Sequence, residues 1–452
     1  MNRFDTCGGS NISDTHNSAN PEIIIIGSGL TGLACANFLK RPFLMIEKSA
    51  GPGGLCASVG RNGFVFDHAG HFLHMHDRRV KSLVSKKIKN NLIVVDRNAW
   101  IYTHQTSVPF PFQAHLSYLP DRLKKACLDG VTRRSSRRVP PAASFYEWSL
   151  ATFGTGITRY FMKPYNEKLW TVSSRILRAD WCAPFVPRPT ITEMKRSAAC
   201  DPSKTFGYNA RFTYFKRGGC QSLIDAFVSS VPHIRYHTAS QNITASSREI
   251  QFSTGETMKY KHLVSTQPLY ALIDQIADAP PSVRAARNRL RWSTVVCYNV
   301  AVRRGNPAVP VAEGRHWVYF PQEKYPFYRV GVYSNIMPSM APAGCASFYV
   351  EVSHVADTGR NEAGEIEAVT RGLYESRMLS VDDRIEFVEA LPIECAYVIF
   401  DAHRKDAVTV IDSWLRSRGI YSIGRYGAWE YSFMEKNIID GIETARMLNV
   451  CR

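Results

Sequence analysis

Apolar and polar positions change period several times along the chain, and the first change is the most informative. Glu22 to Ile26 holds a short continuous apolar run, the pattern of a strand covered on both faces. Gly27-Ser28-Gly29-Leu30-Thr31-Gly32 follows, then Leu33 to Leu39 in small and apolar residues, then Phe43 to Ile46 as a second strand ending on Glu47. This predicts a βαβ opening with a glycine-rich turn between strand and helix. Gly63 to Phe72 alternates like a strand before a Gly-His turn. From roughly 78 to 200 the pattern is mainly helical, broken by prolines at 109–111, 140–141 and 184–189. Arg211 to Phe215 reads as a strand leading into Arg217-Gly218-Gly219 and a helix from Ser222 to Val231. Residues 234–265 read as short hairpin strands, and 292–303, 316–335 and 346–353 as strands of a further sheet. Lys436 to Leu448 closes the chain as a helix with Ile438, Ile442, Ala445 and Leu448 along one side.

The predicted class is α/β. A Rossmann-type dinucleotide-binding domain is assembled from separated segments, 21–80, 205–270 and 400–452. A helical insertion fills 81–204, an antiparallel-sheet substrate domain fills 271–399, and residues 1–20 form a disordered tail.

Composition narrows the class further. The chain has 452 residues, 56 Lys+Arg against 39 Asp+Glu for a formal charge of +17, and 45% hydrophobic residues. That is a globular balance with room for two or three lobes. No apolar run approaches the ~20 residues that a membrane-spanning helix needs. The polar start MNRFDTCGGSNISDTHNSAN has no secretory apolar core. Eleven cysteines without a CxxC pair predict neither a disulfide framework nor a metal site, and fit a reducing cytoplasmic setting. The charge leaves three partners open: nucleic acid, an anionic membrane surface or a polyanionic small substrate. The densest cluster, Arg133-Arg134-Ser135-Ser136-Arg137-Arg138, precedes Pro140-Pro141 and reads as a solvated loop. No nucleic-acid-binding signature accompanies it.

The glycine turn carries specific chemistry. Gly27 permits the tight turn, Gly29 lets the backbone approach a pyrophosphate, and Gly32 lets helix and strand pack closely. The helix N-terminus offers N–H groups and positive dipole to phosphates, and Glu47 can accept from a ribose hydroxyl. A second glycine turn, Gly53-Gly54 within Lys48 to Ser58, favours FAD over NAD. The alternative is a plain surface turn.

Several ordered segments carry a family resemblance. Phe161-Met162-Lys163-Pro164-Tyr165-Asn166-Glu167-Lys168-Leu169-Trp170 is similar to the FMxPYNxKxW segment of UDP-galactopyranose mutases. Trp100 with Val108-Pro109-Phe110-Pro111-Phe112-Gln113 resembles their W…VPYPFQ segment. Asn209-Ala210-Arg211-Phe212 with Arg217-Gly218-Gly219 resembles NATF…RGG. Tyr319-Phe320-Pro321, Pro326-Phe327-Tyr328-Arg329 and Ser334-Asn335 resemble YFP…PFYR…SN, and Gly424-Arg425-Tyr426-Gly427-Ala428-Trp429-Glu430-Tyr431 resembles GRxGxWxY. The likeness runs from Ile23 to about Leu448, within the wider FAD-dependent amine-oxidase-like superfamily.

The resemblance implies an FAD enzyme that interconverts pyranose and furanose forms of a nucleotide sugar, a UDP-hexose, with N5 of the reduced flavin as nucleophile. NAD(P)H is a candidate reductant. It implies that Arg329 pairs with the diphosphate and that Tyr319, Tyr397 and Tyr431 donate hydroxyls to it. Phe110, Gln113, Phe161 and Met162 would hold the base, and Trp170 and Asn209 would border the sugar. His71 would sit near flavin N5 with Arg425 on the other side. The terminal helix, near Asn437 to Gly441, would point its N-terminus at the pyrimidine end. Taken singly, these tyrosines and Trp170 read more readily as core aromatics than as ligands, His71 equally as a core histidine, and Arg329 also as a cation–π partner. Their ordered co-occurrence selects the functional reading.

Three departures stand against it. Phe185, after Trp181-Cys182-Ala183-Pro184, occupies the place of a second diphosphate-binding arginine, with Arg188 as the nearest substitute. Ile336 replaces a tyrosine after the Ser-Asn pair, and Phe110 replaces a base-contacting tyrosine. The competing expectation is a hydride-abstracting FAD oxidoreductase acting on an amine, polyene or tetrapyrrole through an apolar channel.

Overall fold

The computed structural model describes residues 21–133, 139, 143–200, 210–356 and 358–451. The expected tail, most of the basic cluster and Asn209 lie outside the described residues. Twelve strands form the two sheets that matter here: β1 (Ile23–Ile26), β2 (Phe43–Ile46), β3 (Ala99–Thr103), β4 (Thr106–Pro109), β5 (Ile234–Arg235), β6 (His262–Ser265), β7 (Trp292–Arg303), β8 (Trp317–Tyr319), β9 (Arg329–Val332), β10 (Cys345–Val355), β11 (Arg384–Val398) and β12 (Ile420–Ser422). Among the helices beside them, those used below are α1 (Leu30–Phe38), α2 (Phe145–Ile157), α3 (Lys163–Trp170), α4 (Arg404–Ser417) and α5 (Met434–Val450).

The first sheet is parallel, in the order β12-β6-β1-β2-β5. Its central strand explains why Ile23 to Ile26 is apolar throughout. Ile23 and Ile25 pack into a cluster with Leu33 of α1 and Ile438 of α5, whereas Ile24 and Ile26 pack with Leu263, Ile411 and Leu415 on the opposite face. Helix α5 crosses α1 closely because Gly441 has no side chain: a Cβ there would lie 2.5 Å from the Thr31 carbonyl oxygen and 2.7 Å from the Cys35 nitrogen.

The second sheet has seven strands, in the order β11-β7-β10-β9-β8-β3-β4, antiparallel except where β8 meets β3. Period-2 alternation gives it two different faces. Val296, Tyr298, Val300, Phe348 and Val350 turn to one side and pack with Val369 and Leu373. Cys297, Ala301 and Tyr349 turn to the other, toward the glycine-rich lobe.

The structure differs from the sequence reading in places. Within the segment read as mainly helical, Leu92–Asp96, β3 and β4 are strands, and β3 and β4 complete the large sheet. Each spans four or five residues beside prolines, too few periods to stand out against flanking helices. Residues 234–265 are not only hairpins, because β5 and β6 join the parallel sheet on either side of an antiparallel trio between them. Helix α1 starts at Leu30, inside the glycine signature, and α5 starts at Met434. Among the described residues, no helix is long and apolar enough to cross a membrane.

Candidate functional site

The glycine end is built from main chain. Gly27 adopts φ 97°, and a Cβ on Gly32 would lie 2.1 Å from the Gly27 carbonyl oxygen. Only glycine permits this turn. Gly29, by contrast, is not crowded: the nearest atom to an added Cβ is the Gly53 oxygen at 3.8 Å, an ordinary contact. Gly29 also bridges to Gly53, whose N–H donates to the Ser28 carbonyl at 3.0 Å. An added Cβ on Gly54 would lie 3.7 Å from the Gly29 Cα. Both glycine turns therefore line one cradle.

Helix α1 opens on this cradle with no side-chain cap, so its first N–H groups face outward from a nine-residue helix. The buried Glu47 carboxylate closes one side, accepting from the Ser28 N–H at 2.8 Å, the Ser28 hydroxyl at 2.9 Å and the Ser49 N–H at 2.9 Å. Asn437 ties the opposite side together: its Oδ1 accepts from the Thr31 hydroxyl at 3.0 Å and the Arg425 N–H at 2.8 Å. An uncapped helix end, a main-chain opening and a positioned carboxylate fit a dinucleotide.

The sheet face opposite is built from side chains. Arg329 on β9 and Glu351 on β10 are register partners. The Arg329 Nε and Nη2 donate to the two Glu351 oxygens, the second at 2.7 Å, with side chains only 19% and 2% exposed. Burial works against the Arg329 charge, but Glu351 outweighs it and holds the guanidinium well above its usual pKa. Its ring neighbours are Tyr349 at 5.7 Å and Tyr328 at 6.0 Å. The Tyr328 and Tyr397 hydroxyls lie 3.4 Å apart. Tyr165 packs edge-on to Tyr319 and Tyr328.

Arg425 lies 5.6 Å from the Tyr397 ring and 4.9 Å from the Tyr431 ring, and its guanidinium donates to the Ser432 and Ala396 carbonyls. Trp170, fully buried, packs against both Tyr397 and Tyr431, and its indole N–H has no partner among the described residues. His71 binds the His68 carbonyl through Nδ1. Burial first, then the Arg425 charge, lower its pKa to about 4, so the ring is neutral at physiological pH.

The base-side residues divide. Phe110 is half-buried, 5.3 Å from the Tyr319 ring and 4.8 Å from the Arg97 guanidinium. Phe161 is instead engaged by protein rings, stacking with Phe112 and Tyr165 at 5.2 and 5.4 Å, which makes it a wall rather than an open platform. Met162 is buried and its carbonyl accepts from Asn166 at 2.7 Å. Gln113 donates to the Pro187 carbonyl at 2.6 Å while its buried Oε1 has no partner among the described residues.

Phe185 lies 4.4 Å from the Tyr431 ring and 4.7 Å from that of Phe433, so the loop presents an aromatic edge to the site. Arg188 is exposed. Ile336 is a buried residue of the core. Sequence reasoning missed Glu351, Tyr349, Tyr165 and Arg97. A lone glutamate inside the apolar run Phe348-Tyr349-Val350-Glu351-Val352 was the available signal for the first.

Comparisons with known proteins agree with this layout. A family model for the NAD(P)-binding Rossmann-like domain matches residues 25–86. A reduced UDP-galactopyranose mutase superimposes with a TM-score of 0.89 at 29% identity, covering 96% of this chain and 95% of that one. A CLA-producing fatty acid isomerase from P. acnes gives a TM-score of 0.64 at 12% identity, over 95% of this chain and 99% of that one. A putrescine oxidase with redesigned cofactor binding gives 0.63 at 12% identity, over 95% and 98%. At 12% identity the last two show the fold alone.

Proposed function

We propose that this chain, similar over 96% of its length to a UDP-galactopyranose mutase, is an FAD-dependent nucleotide-sugar mutase acting on a UDP-hexose. The end-to-end likeness to the mutase carries the proposal. Gly27, Gly29, Gly32, Glu47, Gly53, Gly54, Arg425 and Asn437 would hold the dinucleotide. Reduced FAD held by these residues would supply the nucleophile for the anomeric carbon.

The protein's own part is positioning and charge. Glu351 occupies the Nε and Nη2 of Arg329, which fixes the guanidinium plane and leaves its Nη1 edge for a departing diphosphate. The hydroxyls of Tyr319, Tyr397 and Tyr431 add donors where charge develops. Neutral His71, whose Nδ1–H donates to the His68 carbonyl, presents Nε2 as an acceptor and adds no charge beside the two arginines. Trp170 closes the sugar side and excludes water.

A second reading, an FAD oxidoreductase, draws on one observation: Phe185 packs on Tyr431 and Phe433, an apolar edge suited to an uncharged substrate. One assay separates the two. Purified protein is incubated with UDP-galactopyranose with and without dithionite, and products are resolved. Furanose product only under reduction is expected of the mutase. Absence of product, with oxidised flavin bleached by an amine or polyene, would establish the oxidoreductase instead.

A further inference from the structure

The N-termini of α2 and α4 converge on a cleft of about 340 Å³ lined by Arg175, Arg178 and Arg291. We propose that this cleft binds a small phosphorylated ligand. It is large enough for a sugar phosphate, and its charges are arranged for an anion.

Two carboxylates also line it, Glu147 and Asp401; Asp401 is engaged by main-chain N–H groups, while Glu147 binds Ser144 through one oxygen and lies within the electrostatic reach of Arg175 and Arg178. Asp401 Oδ1 accepts from the His403 and Arg404 N–H groups at 3.0 Å each, and Oδ2 is 4.0 Å from Arg291. Glu147 Oε2 accepts from the Ser144 N–H at 2.9 Å and the Ser144 hydroxyl at 2.8 Å, completing a capping box. The carboxylates thus close the two helix ends, and three guanidinium groups against two carboxylates leave the lining with an excess of positive charge. Arg175 rests 4.3 Å from the Tyr146 ring, and neither it nor Arg178 has an ion pair or a guanidinium hydrogen bond among the described residues. Forked guanidinium donors are the groups best matched to phosphate oxygens.

The cleft also abuts the aromatic wall of the sheet-face site. The Arg178 N–H donates to the Phe400 carbonyl at 2.6 Å, and the Phe400 ring packs 6.2 Å from Trp170.

The test uses flavin-loaded full-length protein titrated with inorganic phosphate by calorimetry, with malonate as a second probe. Wild type and Arg329→Lys should bind one phosphate with the same millimolar affinity, and malonate more weakly. Arg178→Gln should weaken phosphate by about tenfold, as expected for one lost charge-assisted contact, and Arg291→Gln should weaken it in the same direction. Circular dichroism confirms that the variants fold. Unchanged affinity in the Arg175→Gln/Arg178→Gln double variant overturns the site. Loss of binding in Arg329→Lys also overturns it, by assigning the ion to the sheet face. Tighter binding of malonate overturns the phosphate assignment.

Discussion

At the glycine end of the molecule the working surface is main chain, shaped by side chains that are missing; at the sheet face it is side chain, shaped by charges that are paired. The first surface has no room to yield: a Cβ on Gly32 would meet a carbonyl oxygen at 2.1 Å. The second depends on balance, since Glu351 is buried and Arg329 nearly so. The difference teaches where each end is fragile. One fails through sterics, the other through an uncompensated charge.

The largest effect should follow from breaking the first surface. Gly32→Val drives side-chain atoms into the Gly27 backbone and should cost more than about 4 kcal/mol, yielding protein without yellow colour or a cooperative melt. A folded, flavin-loaded Gly32→Val protein would show that the turn has slack. The second surface should break by a different rule. Arg329→Met leaves the Glu351 carboxylate buried and unpaired, at about 3–5 kcal/mol in urea denaturation. The double variant Arg329→Met/Glu351→Leu should recover most of that loss while remaining inactive. Equal instability of single and double variants would mean that packing, not charge, sets the cost.

Acid should sharpen the contrast. Burial is the first cause lowering His71, His74 and His316 each to about 4, below the ordinary value of about 6.5. Between those values the unfolded chain binds protons that the folded chain does not. Stability from these groups is therefore present above about pH 6.5 and lost as pH falls toward 4. His71→Gln should flatten that fall, and an unchanged pH slope would contradict its neutral, buried state. The smallest effect should come from Phe185→Ala, which removes half-buried ring contacts with Tyr431 and Phe433 and should cost about 1 kcal/mol by thermal unfolding.

The same contrast governs how much was legible in the sequence. The cofactor end could be read from residue order, because Gly27 to Gly32 and Glu47 are close in sequence and their geometry follows from residue type. The sheet-face residues come from segments hundreds of positions apart, from Trp100 to Tyr431, and were visible only through resemblance. Even then a motif shows the residue and not its partner. Arg329 was legible, but its engagement by Glu351 depends on the register of β9 against β10. Phe161 was expected to help hold a base, but its stacking with Phe112 and Tyr165 was not legible from the motif. The short strands β3 and β4 were hidden by having too few periods to register.

The most direct measurement is a crystal structure of the flavin-loaded protein soaked with UDP. The predicted result places diphosphate oxygens within hydrogen-bond distance of Arg329 Nη1 and the Tyr319 hydroxyl, with Glu351 still on Nε. UDP bound elsewhere, or Arg329 without a polar contact to it, would contradict a mutase built on this sheet face.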